Sequence, residues 1–248
     1  MIITVANQKG GVGKTDVSVN LASALAKHGK KVLLIDLDPQ ANATTYLTDK
    51  KHKRTTSTLL LDAKMKIKDI EVPTSVENLT LLPGSPDLYA AQVELVNDVG
   101  MQFKLKKKLS ALKGYDYVFI DTPPSLGLLT LNALTASTHV IVPVQVNYFA
   151  VDGLHKLMNT VEKVKEDINP DIQIGGFVLT MYDKRNKLSG EIEKLMRTSF
   201  GGKVFDNVIP VNVDLAISPN SHMPAILASA DSRGACAYMN LAAEFLAR

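Results

Sequence analysis

The run Lys9-Gly10-Gly11-Val12-Gly13-Lys14-Thr15 constrains this chain more than any other feature. A strand-like apolar run, Ile2–Val5, leads into it. Behind it Val17, Leu21, Ala24, Leu25 and His28 recur at helical spacing until Gly29 supplies a stop. Glycines let the backbone curl until successive N–H groups point inward. A helix N-terminus adds partial positive charge and free donors. Strand, glycine loop, Gly-Lys-Thr and helix in this register form the context of a phosphate-binding loop spanning Lys9, Gly10, Gly11, Val12, Gly13, Lys14 and Thr15. In such a loop Lys14 reaches the β- and γ-phosphates, and Thr15 places its hydroxyl on Mg²⁺.

Short β-rich runs then alternate with helix-period segments. Val32–Ile35, Leu79–Leu82, Tyr117–Ile120, Val140–Val144, Ile174–Leu179 and Val204–Ile209 read as further strands. Several are apolar without alternation, as strands covered on both faces are. Val151–Ile168, Leu188–Ser199 and Ser232–Ala247 read as helices. This order predicts an α/β fold with a doubly wound, mostly parallel sheet. No repeat, low-complexity tract or dividing linker interrupts the 248 residues, so 1–248 is expected to be a single domain. Thr44–Thr58, which contains Lys50-Lys51-His52-Lys53-Arg54, reads as a mobile surface loop.

Apolar residues make up 46% of the chain, enough for a sizeable core. The net charge of +3 decides nothing about a nucleic-acid partner; the placement of the charges matters more. The lone Cys236 excludes an internal disulfide framework and a cysteine-rich metal site. No apolar run approaches the roughly 20 residues that span a bilayer. The amino terminus enters a strand with no basic leader, so the expected address is the cytoplasm, with no membrane partner.

Two acidic segments follow strand-like runs, at the edge where open α/β sheets bind ligands. Asp36-Leu37-Asp38-Pro39-Gln40 follows one; Asp121-Thr122-Pro123-Pro124 follows the other. Asp121 is expected to hold Mg²⁺ through water, opposite Thr15. Asp36 and Asp38 either serve the ligand or cap the turn before Pro39.

The loop departs from the ordinary G-x-x-x-x-G-K-[ST] pattern, with Gln8 at the first glycine position and Lys9 after it. Together with Ala6-Asn7 before it and Ser18-Val19-Asn20-Leu21-Ala22 after it, the loop resembles the deviant Walker motif of ParA/MinD-type ATPases. Asp-x-Asp-Pro-Gln resembles that family's first switch and Asp-Thr-Pro-Pro its second. The likeness extends from Ile2 to about Ala243 and points to the ParA partitioning branch. It implies a slow, partner-stimulated ATPase that uses ATP and Mg²⁺ and forms an ATP-dependent homodimer. In that dimer Lys9 would reach the nucleotide of the other subunit. The resemblance also implies catalytic roles for Lys9, Lys14 and Asp38, with Asp38 orienting or activating the attacking water. It implies nucleotide contacts from Asp16, Asp152 and Pro210, and an Asp36 that supports magnesium or the loop. It further implies nonspecific DNA binding and a ParB-like or other adaptor, in the service of positioning a plasmid, chromosome or other cargo.

Three segments depart from the family pattern. Asp16 stands where a second Thr or Ser is usual. Two like charges about 4 Å apart repel by roughly 4 kcal/mol at an effective dielectric near 20, so Asp16 is expected to weaken or alter nucleotide binding. In Val146-Asn147-Tyr148-Phe149-Ala150-Val151-Asp152-Gly153, Asn147 and Asp152 replace glutamates. Ile209-Pro210-Val211-Asn212-Val213-Asp214-Leu215 lacks two arginines of the DNA-binding relatives. Arg185 and Arg233 do match family basic positions, and Lys184 adjoins the first. Lys104, Lys106, Lys107 and Lys108 form a further basic run. Each cluster is either a set of phosphate contacts or a solvated face. A MinD-like membrane ATPase is the alternative, but it needs a basic amphipathic tail. Tyr238–Arg248 has one basic residue and reads as a helix packed on the domain. A nucleotide switch with little catalysis because of Asp16 is a further alternative.

Overall fold

The computed structural model describes residues 1–147 and 152–248. Its strands are β1 (Ile2–Val5), β2 (Val32–Asp36), β3 (Val72–Pro73), β4 (Leu79–Leu82), β5 (Tyr117–Asp121), β6 (His139–Gln145) and β7 (Gln173–Thr180). They form one sheet in the order β3-β4-β2-β5-β1-β6-β7. Every pairing is parallel except that of β3 with β4. The helices are α1 (Lys14–Lys27), α2 (Asn42–Leu47), α3 (Thr56–Leu61), α4 (Leu88–Leu95), α5 (Lys104–Leu109) and α6 (Leu128–Ala136). They continue with α7 (Asp152–Asp167), α8 (Lys187–Phe200), α9 (Val213–Ile217), α10 (Ala225–Ala228) and α11 (Arg233–Ala247).

The pleat explains why the strands lack polar alternation. Ile3, Val5, Val32 and Leu34 pack with Leu21 and Leu25 of α1 and with Tyr238 and Leu241 of α11. Leu33 and Ile35 point the other way, toward Leu59 of α3, Leu88 of α4 and Leu129 of α6. On the same face Val140, Val142 and Phe177 meet Leu157 of α7 and Met196 of α8. Both faces are covered, so both sets of side chains must be apolar. In α11, Ala235, Tyr238, Leu241 and Ala242 form one buried stripe on the domain. Each large apolar side chain of that stripe contributes about 1.5–3 kcal/mol. The apolar face of the tail is therefore used within the fold.

Two expectations need correction, and one element was missed. Val204–Ile209 is not a strand: Val204 makes an isolated parallel bridge to Phe177. The amides of Asp206 and Asn207 turn away to the Glu244 carboxylate at 2.8 and 2.9 Å. Thr44–Thr58 is a surface loop only over its middle, 48–54: its ends lie in α2 and α3, with Thr44, Tyr46, Leu47 and Thr55–Ser57 buried. Finally, β3 went unanticipated, because two residues carry no periodicity.

Candidate active site

The loop between β1 and α1 sits at mid-sheet, because β1 lies between β5 and β6. Gly11 and Gly13 adopt φ of 70° and 84°, which side-chain-bearing residues rarely tolerate. The Asn7 side chain pins the loop's start, donating to the Pro143 carbonyl at 2.7 Å and accepting from the Lys9 amide at 3.0 Å. Thr180, at the end of β7, donates to the Val12 carbonyl at 2.8 Å. Gly13 is the N-cap of α1 and has no side chain to satisfy the first-turn amides, which leaves them to an anion.

Lys14 is buried, and its Nζ donates to the Lys9 carbonyl at 3.1 Å. Burial pulls its pKa down, while Asp121 and Asp38 push it back up. Thr15 Oγ1 donates to Asp121 Oδ2 at 2.9 Å, and Ser18 Oγ donates to Oδ1 at 2.8 Å. The sheet register pairs Asp121 with Asp36 at the ends of β5 and β2. Burial, and next the charge of Asp36, raise the Asp121 pKa. Burial also raises the Asp36 pKa, against the hydrogen bonds from Thr44.

Asp36 is committed to the loop. Its Oδ1 accepts from the Asp38 amide at 3.2 Å, and its Oδ2 accepts from the Thr44 amide at 2.8 Å and hydroxyl at 2.6 Å. Asp38 is buried, and its Oδ1 accepts from the Gln40 amide at 2.9 Å. The Gln40 side chain in turn donates to the Tyr89 hydroxyl of α4 at 2.6 Å.

Lys9 Nζ donates to Asn147 Oδ1 at 2.9 Å, which couples the loop to the end of β6. Asp152 opens α7, but its side chain and residues Tyr148–Val151 lie outside the described residues. Pro210 bridges to Tyr182, just past β7, on the same edge of the sheet as the loop. Asp16 is half-buried; burial raises its pKa to about 6, against a hydrogen bond from Tyr46. A Cβ on Gly13 would lie 3.9 Å from Asp16 Oδ2, so the carboxyl borders the loop.

Lys184, Arg185 and Arg233 are all exposed. Arg185 grips Asp183 through two bonds of 3.0 and 2.9 Å. Asp183 is held down to about 2, first by the hydrogen bonds from Arg185 and last by the charge of Arg233. Of the two positions where the resemblance expects arginines, Val211 is exposed and Asp214 half-buried. In the other basic run, Lys104 pairs with Asp98.

Sequence reading missed four supports: Asn7, Ser18, Thr44 and Thr180. The first two lay inside the recognised motif with no role attached. A lone Thr gives no such signal.

Among the described residues no group of three or more His, Cys, Asp or Glu side chains forms a metal cage. Mg²⁺ does not need one, since it keeps several waters and combines one or two carboxylates with phosphates. A hydroxyl and a strand-end carboxylate beside an amide-rich loop suit that cation, and a carboxylate whose pKa is raised by burial, and next by the charge of Asp36, gains from it.

A sequence profile described as an AAA domain matches residues 1–174. The chain is 46% identical over 249 residues to the sporulation initiation inhibitor protein Soj of Bacillus subtilis, covering 99% of this chain and 98% of that one. It belongs to the Soj/ParA family of chromosome-partitioning ATPases. The family's chromosome partitioning protein ParA from Caulobacter vibrioides is 43% identical over 251 residues, covering 100% and 94% of the two chains. Among solved structures, a Mycobacterium smegmatis protein described as cobyrinic acid a,c-diamide synthase, with bound ADP and magnesium, superposes with a TM-score of 0.86. It is 35% identical, with 99% and 93% of the two chains covered. The Soj/ParA fold is thus matched over essentially the full chain.

Proposed function

We propose that this chain acts as one unit, 1–248, that closes as a homodimer around Mg-ATP, holds DNA without sequence preference, and is reset by slow hydrolysis. A ParB-like or other adaptor would stimulate that hydrolysis, and the cycle would position a chromosome, plasmid or other cargo. The 2.9 Å hydrogen bond between Thr15 and Asp121 carries the reading, because it brings the phosphate loop and the strand-end carboxylate to one point.

Bound Mg-ATP supplies the phosphoanhydride that water cleaves and the cation that offsets its charge. The amides of Gly10–Thr15 take up phosphate oxygens. Lys14 Nζ exchanges the Lys9 carbonyl for the β- and γ-phosphates. Thr15 places its hydroxyl on the cation, and Asp121 binds it through water. Asp38 orients the attacking water and accepts its proton at a carboxylate oxygen. Asp36 holds the amide of Asp38 and thereby the segment. Lys9 reaches from Asn147 toward the nucleotide of the other subunit, and Asp152 and Pro210 border the nucleotide. Lys184, Arg185 and Arg233 would contact DNA phosphates, so binding weakens steeply with salt. The place of action would be the cytoplasm, on the nucleoid; no helix among the described residues is long and apolar enough to cross a membrane.

Light scattering on the eluting protein tests the dimer. Mg-ATP should convert Asp38→Ala from monomer to dimer, and Lys9→Ala should block that conversion in the same background. A monomer for Asp38→Ala at saturating Mg-ATP would contradict the reading.

A further inference from the structure

A groove of about 1200 Å³ lies at the opposite end of the sheet from the phosphate loop. Its walls include Lys31, Asn78 and Tyr115, which stand just before β2, β4 and β5 begin. The phosphate loop, by contrast, follows the end of β1. Three chain segments bring lysines to the groove: Lys31; then Lys64, Lys66 and Lys68 after α3; then Lys107 and Lys113 in and after α5. All six are exposed, and none is ion-paired among the described residues. Lys108 braces them. Its Nζ donates to the carbonyls of Asp62, Ala63 and Met65 at 2.7, 3.0 and 2.7 Å, tying α5 to the segment that carries Lys64–Lys68. The acids in the lining are Glu71 and Glu77, and Glu71 already accepts from the Tyr115 hydroxyl at 3.0 Å. Seven lysines against two glutamates give this wall +5, more than the +3 of the whole chain.

We infer that this groove is a second, sequence-independent contact for the phosphate backbone of DNA. The inference rests on the partitioning function proposed above. Ammonium groups on flexible stems, spread over three segments, match a polymer that repeats its charge every ~1.7 Å of helix axis. An isolated acidic group would instead be gripped by an arginine fork, and no arginine lines the groove. An anionic membrane is the poorer fit, because no large apolar side chain stands exposed in the lining to insert between lipids. The site also lies at the β3–β4 edge, whereas Lys184 and Arg185 follow β7 at the far edge. In a dimer that closes over the carboxyl ends of the strands, the groove faces outward.

Anisotropy of a labelled duplex of arbitrary sequence, titrated across salt with Mg-ATP and full-length protein, tests this. The triple variant Lys66→Ala, Lys68→Ala, Lys107→Ala should flatten the slope of log affinity against log salt by roughly two to three, at ~0.9 per lost phosphate contact. The control Lys27→Ala, Lys163→Ala, Lys194→Ala removes the same charge from exposed positions elsewhere and should leave the slope near that of wild type. Melting curves should confirm that both variants stay folded. Equal slopes for the two triple variants, with wild-type binding intact, would overturn the groove alone. A wild type that binds no DNA would overturn both the groove and the DNA arm of the proposed function. Anionic phosphatidylserine vesicles form the last arm: loss of vesicle binding in the groove variant with DNA binding unchanged would overturn the assignment.

Discussion

Thr44 holds Asp36 twice, through its amide at 2.8 Å and its hydroxyl at 2.6 Å. The same hydroxyl accepts from the Gly84 amide at 2.8 Å. One buried oxygen thus ties the segment that carries Asp38 to the loop after β4. Thr44→Val keeps the shape and removes the hydroxyl. It should cost about 2 kcal/mol, since a buried carboxylate and a buried amide each lose a partner. Through Asp36 it should also slow ATP turnover about tenfold while leaving ATP affinity near wild type. Urea unfolding and a turnover assay with a binding titration measure both; an unchanged turnover number would show that Thr44 does not position Asp38.

Gly84→Ala probes the same junction from the other side. A Cβ there would stand 2.8 Å from Asp36 Cγ and 3.0 Å from its Oδ1. Overpacking of this kind costs about 1–3 kcal/mol. Thermal unfolding should report the loss, with a parallel fall in turnover because the displaced group is Asp36.

Glu244 supplies a pH test far from the site. Burial raises its pKa, but hydrogen bonds from the Asp206 and Asn207 amides, the Asn207 side chain and Arg248 outweigh burial and leave it below its ordinary 4.5. A carboxylate lowered in the folded state stabilises the protein above its unfolded pKa, and that contribution is lost as pH falls through the folded value. Stability should therefore decline below about pH 4.5. In Glu244→Gln that part of the decline should be absent and stability at pH 7 lower by about 2 kcal/mol. Denaturant titrations at pH 7 and at pH 3 separate the two.

Asp16→Thr should tighten nucleotide binding. The Asp16 carboxyl borders the loop and would face phosphate charge there. Removing it should improve ATP affinity by about tenfold, or 1.4 kcal/mol, part of the like-charge repulsion having been offset by Lys14 and the cation. Calorimetric titration with Mg-ATP checks it, and equal affinities would show that Asp16 is directed harmlessly to Tyr46.

The site was legible in the sequence wherever its chemistry is local. Gly11 and Gly13 are glycines because of their φ, and Asp36 and Asp121 end strands that the register then places side by side. The supporting residues were hidden because their partners are distant in the chain: Thr180 meets Val12, and Asn7 meets Pro143. The stretch Thr44–Thr58 misled at its two ends for a different reason. Its buried face is largely hydroxyls, Thr44, Thr55, Thr56 and Ser57, so no apolar period marks the short helices it enters. Val204–Ile209 looked like a strand because it is apolar at both ends; only Glu244, far along the chain, shows why it leaves the sheet.

Mg-ATP binding and turnover measured side by side in Lys14→Ala and Asp38→Ala test the central claim most directly. The account predicts that Lys14→Ala loses measurable ATP binding, while Asp38→Ala binds ATP as wild type does and hydrolyses it at least about a hundredfold more slowly. Wild-type ATP affinity in Lys14→Ala, or undiminished turnover in Asp38→Ala, would contradict it.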